Sequence, residues 1–275
     1  MILYGIASET SIGRLFLAGV IPGLLLTGLF MAWALFLSWK RGTRLVDADR
    51  IYSMKEKLEL LPKLLPFIAV IVGVVYALYG GIATPSEAAG VGAALCLGMV
   101  VVIYRVWQPA ALWSILRDGL RESGMLMLII GASILFGYMM SSLLVTQTVA
   151  ESIAAMQVNK WVILAAINVM LLVAGMFLPP AAIILMTTPI LMPVILAAGF
   201  DPIWFGVILT INMELGLITP PVGLNLFVIN GITPDIKLPT ILRGALPFMA
   251  CMVLAIVILC VFPGLATWLP TALMG

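Results

Sequence analysis

The sequence predicts an all-α polytopic membrane protein, one membrane domain over 1–275, with a re-entrant helical hairpin and a broken transmembrane helix. Three observations carry that expectation. The 275 residues are 63% hydrophobic and only 9% charged, against roughly 25% charged in soluble domains. Apolar runs recur along the whole chain, many close to the roughly 20 residues that a bilayer core requires. One run, 202–232, is interrupted by Pro220 and Pro221, with Gly216 and Gly223 on either side. Proline removes a backbone donor and clashes with the carbonyl one turn back. Carbonyls freed at membrane depth are tolerated only where they are buried in protein or line a cavity. Discontinuous helices of this kind mark secondary transporters.

Composition also excludes several classes. Net charge is +2, with no basic patch interleaved with aromatics, so no nucleic-acid surface is expected. Histidine is absent, which removes the usual proton relay and transition-metal ligand. Any metal is therefore expected to be a hard cation held by oxygens, such as sodium. Cys96, Cys251 and Cys260 lie in apolar runs without zinc or redox spacing and read as small buried hydrophobes. Intramembrane proteolysis needs a Ser/His pair or paired aspartates, and Asp201 and Asp235 are expected at opposite faces, so no enzyme is expected. The opening Met1-Ile2-Leu3-Tyr4-Gly5 has no charged region before it and no clear cleavage site, unlike a signal peptide.

In chain order, the apolar runs fall near 13–38, 64–80, 86–106, 124–145, 161–178, 181–198, 202–232 and 244–270. Between the first two, residues 39–63 mix Lys40, Arg41, Arg44, Arg50, Lys55, Lys57 and Lys63 with Asp47, Asp49, Glu56 and Glu59. Lys and Arg accumulate in cytoplasmic loops, so this stretch is placed inside, as an amphipathic arm on the inner surface. The turn at 80–86 has no Lys or Arg and is placed outside. Arg105, Arg117 and Arg121 mark the next inner segment, where 108–122, with Trp113, reads as a second arm. Solvated connecting loops fit the composition of both arms as well. The runs 161–178 and 181–198 meet at the uncharged turn Leu178-Pro179-Pro180-Ala181. A re-entrant hairpin whose tip stays inside the protein fits that turn, and a plain pair of spanning helices gives the same parity. Gly199-Phe200-Asp201-Pro202 is a turn signal at the outer end of this hairpin. Lys237 and Arg243 lie inside, and the last helix and tail, 233–275, end outside, with no Lys or Arg after 262.

A faint internal repeat accompanies this pattern. The stretch 4–22 resembles 230–247 with one gapped position, so that Gly5, Gly19 and Pro22 fall on Gly231, Gly244 and Pro247. The first copy is placed outside and the second inside, as in the inverted repeat of ion-transporter-type folds.

Four motifs then make the chain resemble a known family. They are G-G-I-A-T-P-S-E-A-A at 80–89, T-T-P-I-L-M-P-V at 187–194 continuing to G-F-D-P-I-W-F-G-V-I at 199–208, N-M-E-L-G-L-I-T-P-P-V-G-L-N-L-F-V at 212–228, and Y-G-I-A-S-E-T-S-I-G-R-L-F-L-A-G-V-I-P-G at 4–23. In this order they resemble the large membrane subunit of TRAP (tripartite ATP-independent periplasmic) transporters, DctM-like, over the whole length. The resemblance implies a multi-pass protein of the bacterial cell inner membrane that imports organic acids, C4-dicarboxylates or related carboxylates, by sodium symport. It implies an elevator mechanism, a periplasmic solute-binding protein that delivers the solute, a small membrane subunit, and no cofactor beyond Na+ as coupling ion. A first repeat with its own hairpin and its own broken helix precedes Y-G in the family, so residues 1–38 are expected to be the end of the first repeat in an N-terminally truncated chain. An inactive or partner-dependent fragment is the alternative. A permease of an ATP-driven importer would need a cytoplasmic coupling loop and has no reason to break a helix at 219–221.

On this resemblance the mobile transport unit is placed at 161–232 and the scaffold at 64–145. The break from Gly216 to Gly223, with Pro220 and Pro221, is expected to offer backbone carbonyls to sodium, with Thr219 as a side-chain ligand. Thr187 and Thr188 are candidates for the same cavity, and Asn212 and Asn225 suit ion or substrate contact. For these Thr and Asn, satisfying broken backbone or bonding between helices is the competing reading. The hairpin tip, Pro179 and Pro180, has no side-chain oxygen, so ligation there must come from the backbone. Glu214 is an acid inside a spanning segment, a functional candidate by default: sodium binding, proton carriage, pairing with a cation and a structural salt bridge all remain open. Thr84, Pro85, Ser86 and Glu87 fit a capped helix start or a ligand-binding turn.

Overall fold

The computed structural model describes residues 1–41, 54–79, 83–155, 158–232 and 235–274. These residues are helical, without strands. The helices are α1 (Ile2–Ser8), α2 (Ile12–Arg41), α3 (Met54–Tyr79), α4 (Pro85–Val102), α5 (Pro109–Ser142), α6 (Val145–Ala155), α7 (Lys160–Gly175), α8 (Pro180–Ala197), α9 (Pro202–Leu217), α10 (Leu224–Ile232), α11 (Leu238–Val261) and α12 (Gly264–Met274). Five of them, α2, α4, α5, α8 and α11, are long and apolar enough to cross a membrane. The chain forms two compact units, Met1–Leu37 with Leu126–Gly275, and Ser38–Met125.

The smaller unit is built on α3 packed against α4. A Cβ on Gly92 would stand 3.1 Å from Val74 Cγ2, so glycine permits the close approach. A reciprocal cap opens α4. The Thr84 hydroxyl oxygen accepts from the Glu87 N–H at 3.4 Å, and Glu87 Oε2 accepts from the Thr84 N–H at 2.7 Å. Pro85 occupies the first turn, where its missing N–H costs nothing. The Thr84–Glu87 motif is thus a helix start. The first amphipathic arm lies partly outside the described residues, from 42 to 53. Its later part, from Met54, continues without interruption into the apolar run as α3. The second arm is likewise not a separate helix, because α5 runs unbroken from Pro109 to Ser142. No proline falls between Ala110 and Ser142, and single glycines such as Gly119 and Gly124 cost only about 1 kcal/mol each in a helix.

The larger unit is organised around α9. Most of its residues are apolar and buried, as in a helix enclosed by its neighbours on most sides. Trp204, Phe205, Val207, Ile208, Leu209, Met213 and Leu215 are all buried, with α1, α7, α8, α10, α11 and α12 packed about them. Asp201 caps α9 by accepting from the Trp204 N–H at 2.9 Å, and Pro202 opens its first turn. The buried Trp204 indole donates to the Leu259 carbonyl at 2.8 Å, tying α9 to α11. Tyr4 donates to the Pro202 carbonyl at 2.7 Å, and its ring lies where a side chain on residue 206 would stand, which makes Gly206 necessary. Trp204 stacks on Phe200, with Trp161 edge-on to both. Lys160 Nζ lies 5.3 Å from the Phe200 ring centre. This is the amphipathic aromatic clustering that membrane interfaces favour. Pro22 lies inside α2 and Pro247 inside α11. Of the cysteines, Cys251 and Cys260 are half-buried, but Cys96 is exposed on α4, against expectation. An apolar surface suffices in a lipid-facing helix, so an apolar run does not separate core from lipid contact.

Candidate functional site

The interruption after α9 follows from its two prolines. In a continuing helix Pro220 would donate to Gly216 and Pro221 to Leu217, and neither has an N–H. The Thr219 N–H takes the Gly216 carbonyl instead, at 3.1 Å. The Leu215 carbonyl is taken by the Thr219 hydroxyl at 2.6 Å and by the Ile218 N–H at 3.3 Å. Thr219 is buried, so this hydroxyl satisfies backbone where water and lipid do not. The Pro220–Pro221 peptide is cis, and Gly223 has φ +52°. A Cβ at Gly223 would also stand 3.1 Å from the Thr219 carbonyl oxygen, so only glycine fits where the chain turns into α10.

The hairpin 161–198 consists of α7 and α8 joined by Met176–Pro179. The Leu178 N–H bonds back to Ala174 O at 3.0 Å, and the Ala182 N–H to Pro179 O at 3.1 Å. Pro180 opens α8. Phe177, Leu178 and Pro179 are exposed, so the tip is apolar as well as uncharged.

The hairpin and the break come together through α7 and α9. Three pairs occur in the same order along both helices: Trp161 with Trp204, Asn168 with Asn212, and Gly175 with Gly216. The two helices therefore run parallel, and both end at the same level. At that level backbone meets backbone. A Cβ on Gly216 would stand 2.8 Å from Gly175 Cα and 2.9 Å from its carbonyl carbon. The carbonyl ends of α7 and α9 thus converge, and each carries a partial negative charge of about half an electron. The amide ends of α8 and α10 begin within a few residues of the same two turns. Carbonyl ends suit a cation and amide ends an anion.

Sodium, the ion the resemblance implies, fits this oxygen set. Among the described residues no group of three His, Cys, Asp or Glu gathers, and the oxygens at the break are main-chain and hydroxyl oxygens. The Thr219 hydroxyl gives its proton to Leu215 O, so its oxygen keeps its lone pairs as acceptors.

The other candidates divide. Thr188 is buried and donates to Ile184 O. Thr187, one position on, donates to Ile183 O at 2.8 Å and lines a cavity of about 640 Å³ whose other walls are apolar, including Val162, Met170 and Leu191. Asn212 is buried, and its Nδ2 donates to Asn168 Oδ1 at 2.7 Å and to Asn168 O at 3.0 Å. Its own Oδ1 has no partner. The two acceptors on Asn168 fix which way this amide points. Asn225 is exposed at the start of α10. Glu214 is exposed and lines a separate cavity of about 210 Å³. Two positions from Asn212 is about 200° around a helix, so Glu214 faces away from α7. Asn168 and Gly175 were not singled out from the sequence. The only signals were a lone amide and a lone glycine in the apolar run 161–178.

The family model described as "Tripartite ATP-independent periplasmic transporter, DctM component" matches residues 1–265. The C4-dicarboxylate TRAP transporter large permease protein DctM of Pseudomonas aeruginosa is 36% identical over 270 residues, 98% of this chain and 62% of that protein. The sialic acid TRAP transporter large permease protein SiaM of Vibrio cholerae is 33% identical, over 100% of this chain and 64% of that protein. The isethionate TRAP transporter permease protein DctMQ of Oleidesulfovibrio alaskensis is 34% identical, over 96% of this chain and 41% of that protein. The chain spans about three fifths of the length of the large permease relatives.

Proposed function

This chain belongs to the DctM component family of tripartite ATP-independent periplasmic transporters, and we propose that it forms the ion- and solute-handling part of a sodium-driven permease for organic anions. It is a multi-pass protein of the bacterial inner membrane, from a family of transport proteins rather than enzymes. The observation that carries the reading is the meeting of the α7 and α9 carbonyl ends at Gly175 and Gly216. There a sodium ion takes oxygens of the break and Thr219, and an anion takes the amide ends of α8 and α10, helped by the ion's charge.

The relatives named above carry a C4-dicarboxylate, sialic acid and isethionate in their names. These are carboxylates and a sulfonate, so the shared chemistry is an organic anion. No arginine lies within 161–232, which favours amides, hydroxyls and the bound cation over a guanidinium clamp. Residues 161–232 move as the transport unit and 64–145 act as scaffold. As support for the re-entrant reading, α7, the first arm of the hairpin, has 16 residues, about 24 Å at 1.5 Å per residue. That falls short of the roughly 30 Å hydrocarbon core. A periplasmic solute-binding protein and a small membrane subunit complete the system.

The test is uptake into proteoliposomes holding the chain, its small subunit and its binding protein, with radiolabelled succinate, sialic acid and isethionate offered under a sodium gradient. Uptake of one of them that requires sodium, and that is lost in Thr219→Val, supports the reading. Uptake independent of sodium refutes it. A second reading is a partner-dependent or inactive fragment. It predicts no uptake by this chain and uptake by a chain of the relatives' full length.

A further inference from the structure

The groove between α6, α7 and α8 is built unlike the site at the break. Its volume is about 640 Å³, and its wall includes Val149 of α6, Val162, Ala166 and Met170 of α7, and Thr187 and Val194 of α8. Val162, Ala166 and Met170 are exposed, so the groove opens sideways from the larger unit. Thr187 is the one polar residue of the wall, and its hydroxyl proton is already held by Ile183 O at 2.8 Å. Such a wall suits an apolar guest and offers water or an ion little to hold.

The length and the mouth of the groove narrow the choice of guest. From Val162 to Met170 the wall runs about 12 Å along α7, at 1.5 Å per residue. One leaflet of a bilayer core is about 15 Å deep. Val162 lies in the first turn of α7 and Val194 in the last turn of α8, so both stand at the open end of the hairpin. Trp161, Phe200 and Trp204 cluster at that end, with Lys160 Nζ 5.3 Å from the Phe200 ring centre. Tryptophan and cationic side chains gathered in this way mark the level of lipid head groups. Lys160 is exposed, and among the described residues it has no ion pair with a carboxylate. Asp201, next to Phe200, turns its Oδ1 to the Trp204 N–H at 2.9 Å. An unpaired ammonium at the mouth of an apolar groove of about one leaflet's length complements a phosphate with a hydrocarbon chain attached.

We propose that the groove holds one acyl chain of an anionic phospholipid, with the head-group phosphate on Lys160. The apolar wall takes the chain, and Lys160 selects the charge. The lipid fills the space between α6 and the hairpin of α7 and α8.

The experiment is native mass spectrometry of the purified chain in detergent, with phosphatidylglycerol and phosphatidylcholine of the same chain length at equal concentration. One tightly held phosphatidylglycerol per chain is expected, preferred about fivefold over phosphatidylcholine, the factor that about 1 kcal/mol per cation near anionic lipid provides. Lys160→Gln is expected to lose the preference and still bind phosphatidylcholine. Ala166→Phe puts a ring into the groove and is expected to lose the tightly held lipid of either kind. Ala165→Phe, also exposed but outside the wall, is expected to bind as wild type does. Equal retention of the two lipids by wild type, or a preference that survives Lys160→Gln, overturns the head-group assignment. Wild-type binding by Ala166→Phe, or equal losses in Ala166→Phe and Ala165→Phe, overturns the groove. A dimer mass without lipid puts a second copy of the chain there and overturns the proposal as well.

Discussion

Replacing Gly216 by alanine adds one methyl group where two backbones meet. Its carbon would stand 2.8 Å from Gly175 Cα, 2.9 Å from the Gly175 carbonyl carbon and 3.1 Å from its oxygen. Optimal carbon–carbon separation is about 3.5–4.0 Å, so α7 and α9 must part by most of an ångström there. No flexible side chain can absorb this, since every contacted atom is main chain. Overpacking of this sort costs about 1–3 kcal/mol. With only main-chain atoms to give way the cost falls at the upper end of that range, and the helix propensity that alanine gains over glycine, up to about 1 kcal/mol, offsets part of it, leaving about 2 kcal/mol of destabilisation. For a chain of this size that is a fall of several degrees in melting temperature, at about 2–4 °C per kcal/mol. Because the same contact aligns the hairpin tip with the break, sodium should stabilise Gly216→Ala less than wild type. The assay is thermal unfolding in detergent over a sodium titration, with Gly28→Ala as control, since a Cβ at Gly28 meets nothing within 4 Å. A Gly216→Ala protein that melts like wild type and gains as much from sodium would refute both the close approach and its role.

Other expectations follow from the same contacts. Pro220→Ala with Pro221→Ala restores two N–H groups and lets α9 run on into α10; sodium-dependent uptake is expected to vanish with expression intact, as measured by transport and membrane immunoblot. Asn168→Ala removes one of the two acceptors of the buried Asn212 amide, the Asn168 Oδ1, and keeps the main-chain carbonyl, at a cost of about 1–3 kcal/mol for the group left unsatisfied. Adding Asn212→Ala should recover part of that loss in thermal melts, and strictly additive losses would refute the pair. Glu87→Ala removes the acceptor of the Thr84 N–H, and the loosened start of α4 should exchange its first-turn amides with deuterium faster, with later turns of α4 unchanged.

Much of the fold could be read because its determinants are local. Tandem prolines between two glycines end α9 and start α10 through missing N–H groups, and Thr84-Pro85-Ser86-Glu87 specifies a cap within four residues. The hairpin bounds follow from Pro179 and Pro180 in the same way. What escaped reading is tertiary. Gly175 matters because Gly216 lies against it, 41 positions later in the chain, and Asn168 because Asn212 reaches it across 44. A sequence with no alignment holds no sign of either pairing. Residues 108–122, read from a drop in hydropathy as an arm of their own, share one helix with the apolar run after them, since α5 runs from Pro109 to Ser142. Charged residues such as Arg117 and Arg121 sit in a helix as readily as in a loop, so α5 continues through them.

The polar groups of α9 lie on two faces that point to different neighbours. Asn212 and Gly216 face α7, where an amide and a bare backbone set its register and depth. Thr210 and Glu214 face the cavity walled by α2 and α11. A helix enclosed by apolar side chains has no reason to carry either set for stability alone, since a buried polar group without a partner costs free energy and an apolar residue costs none. The first set is partly explained by what it binds inside the protein: Asn212 donates twice to Asn168. The Oδ1 of Asn212 is the remainder: it is buried, accepts and does not donate, and has no partner among the described residues.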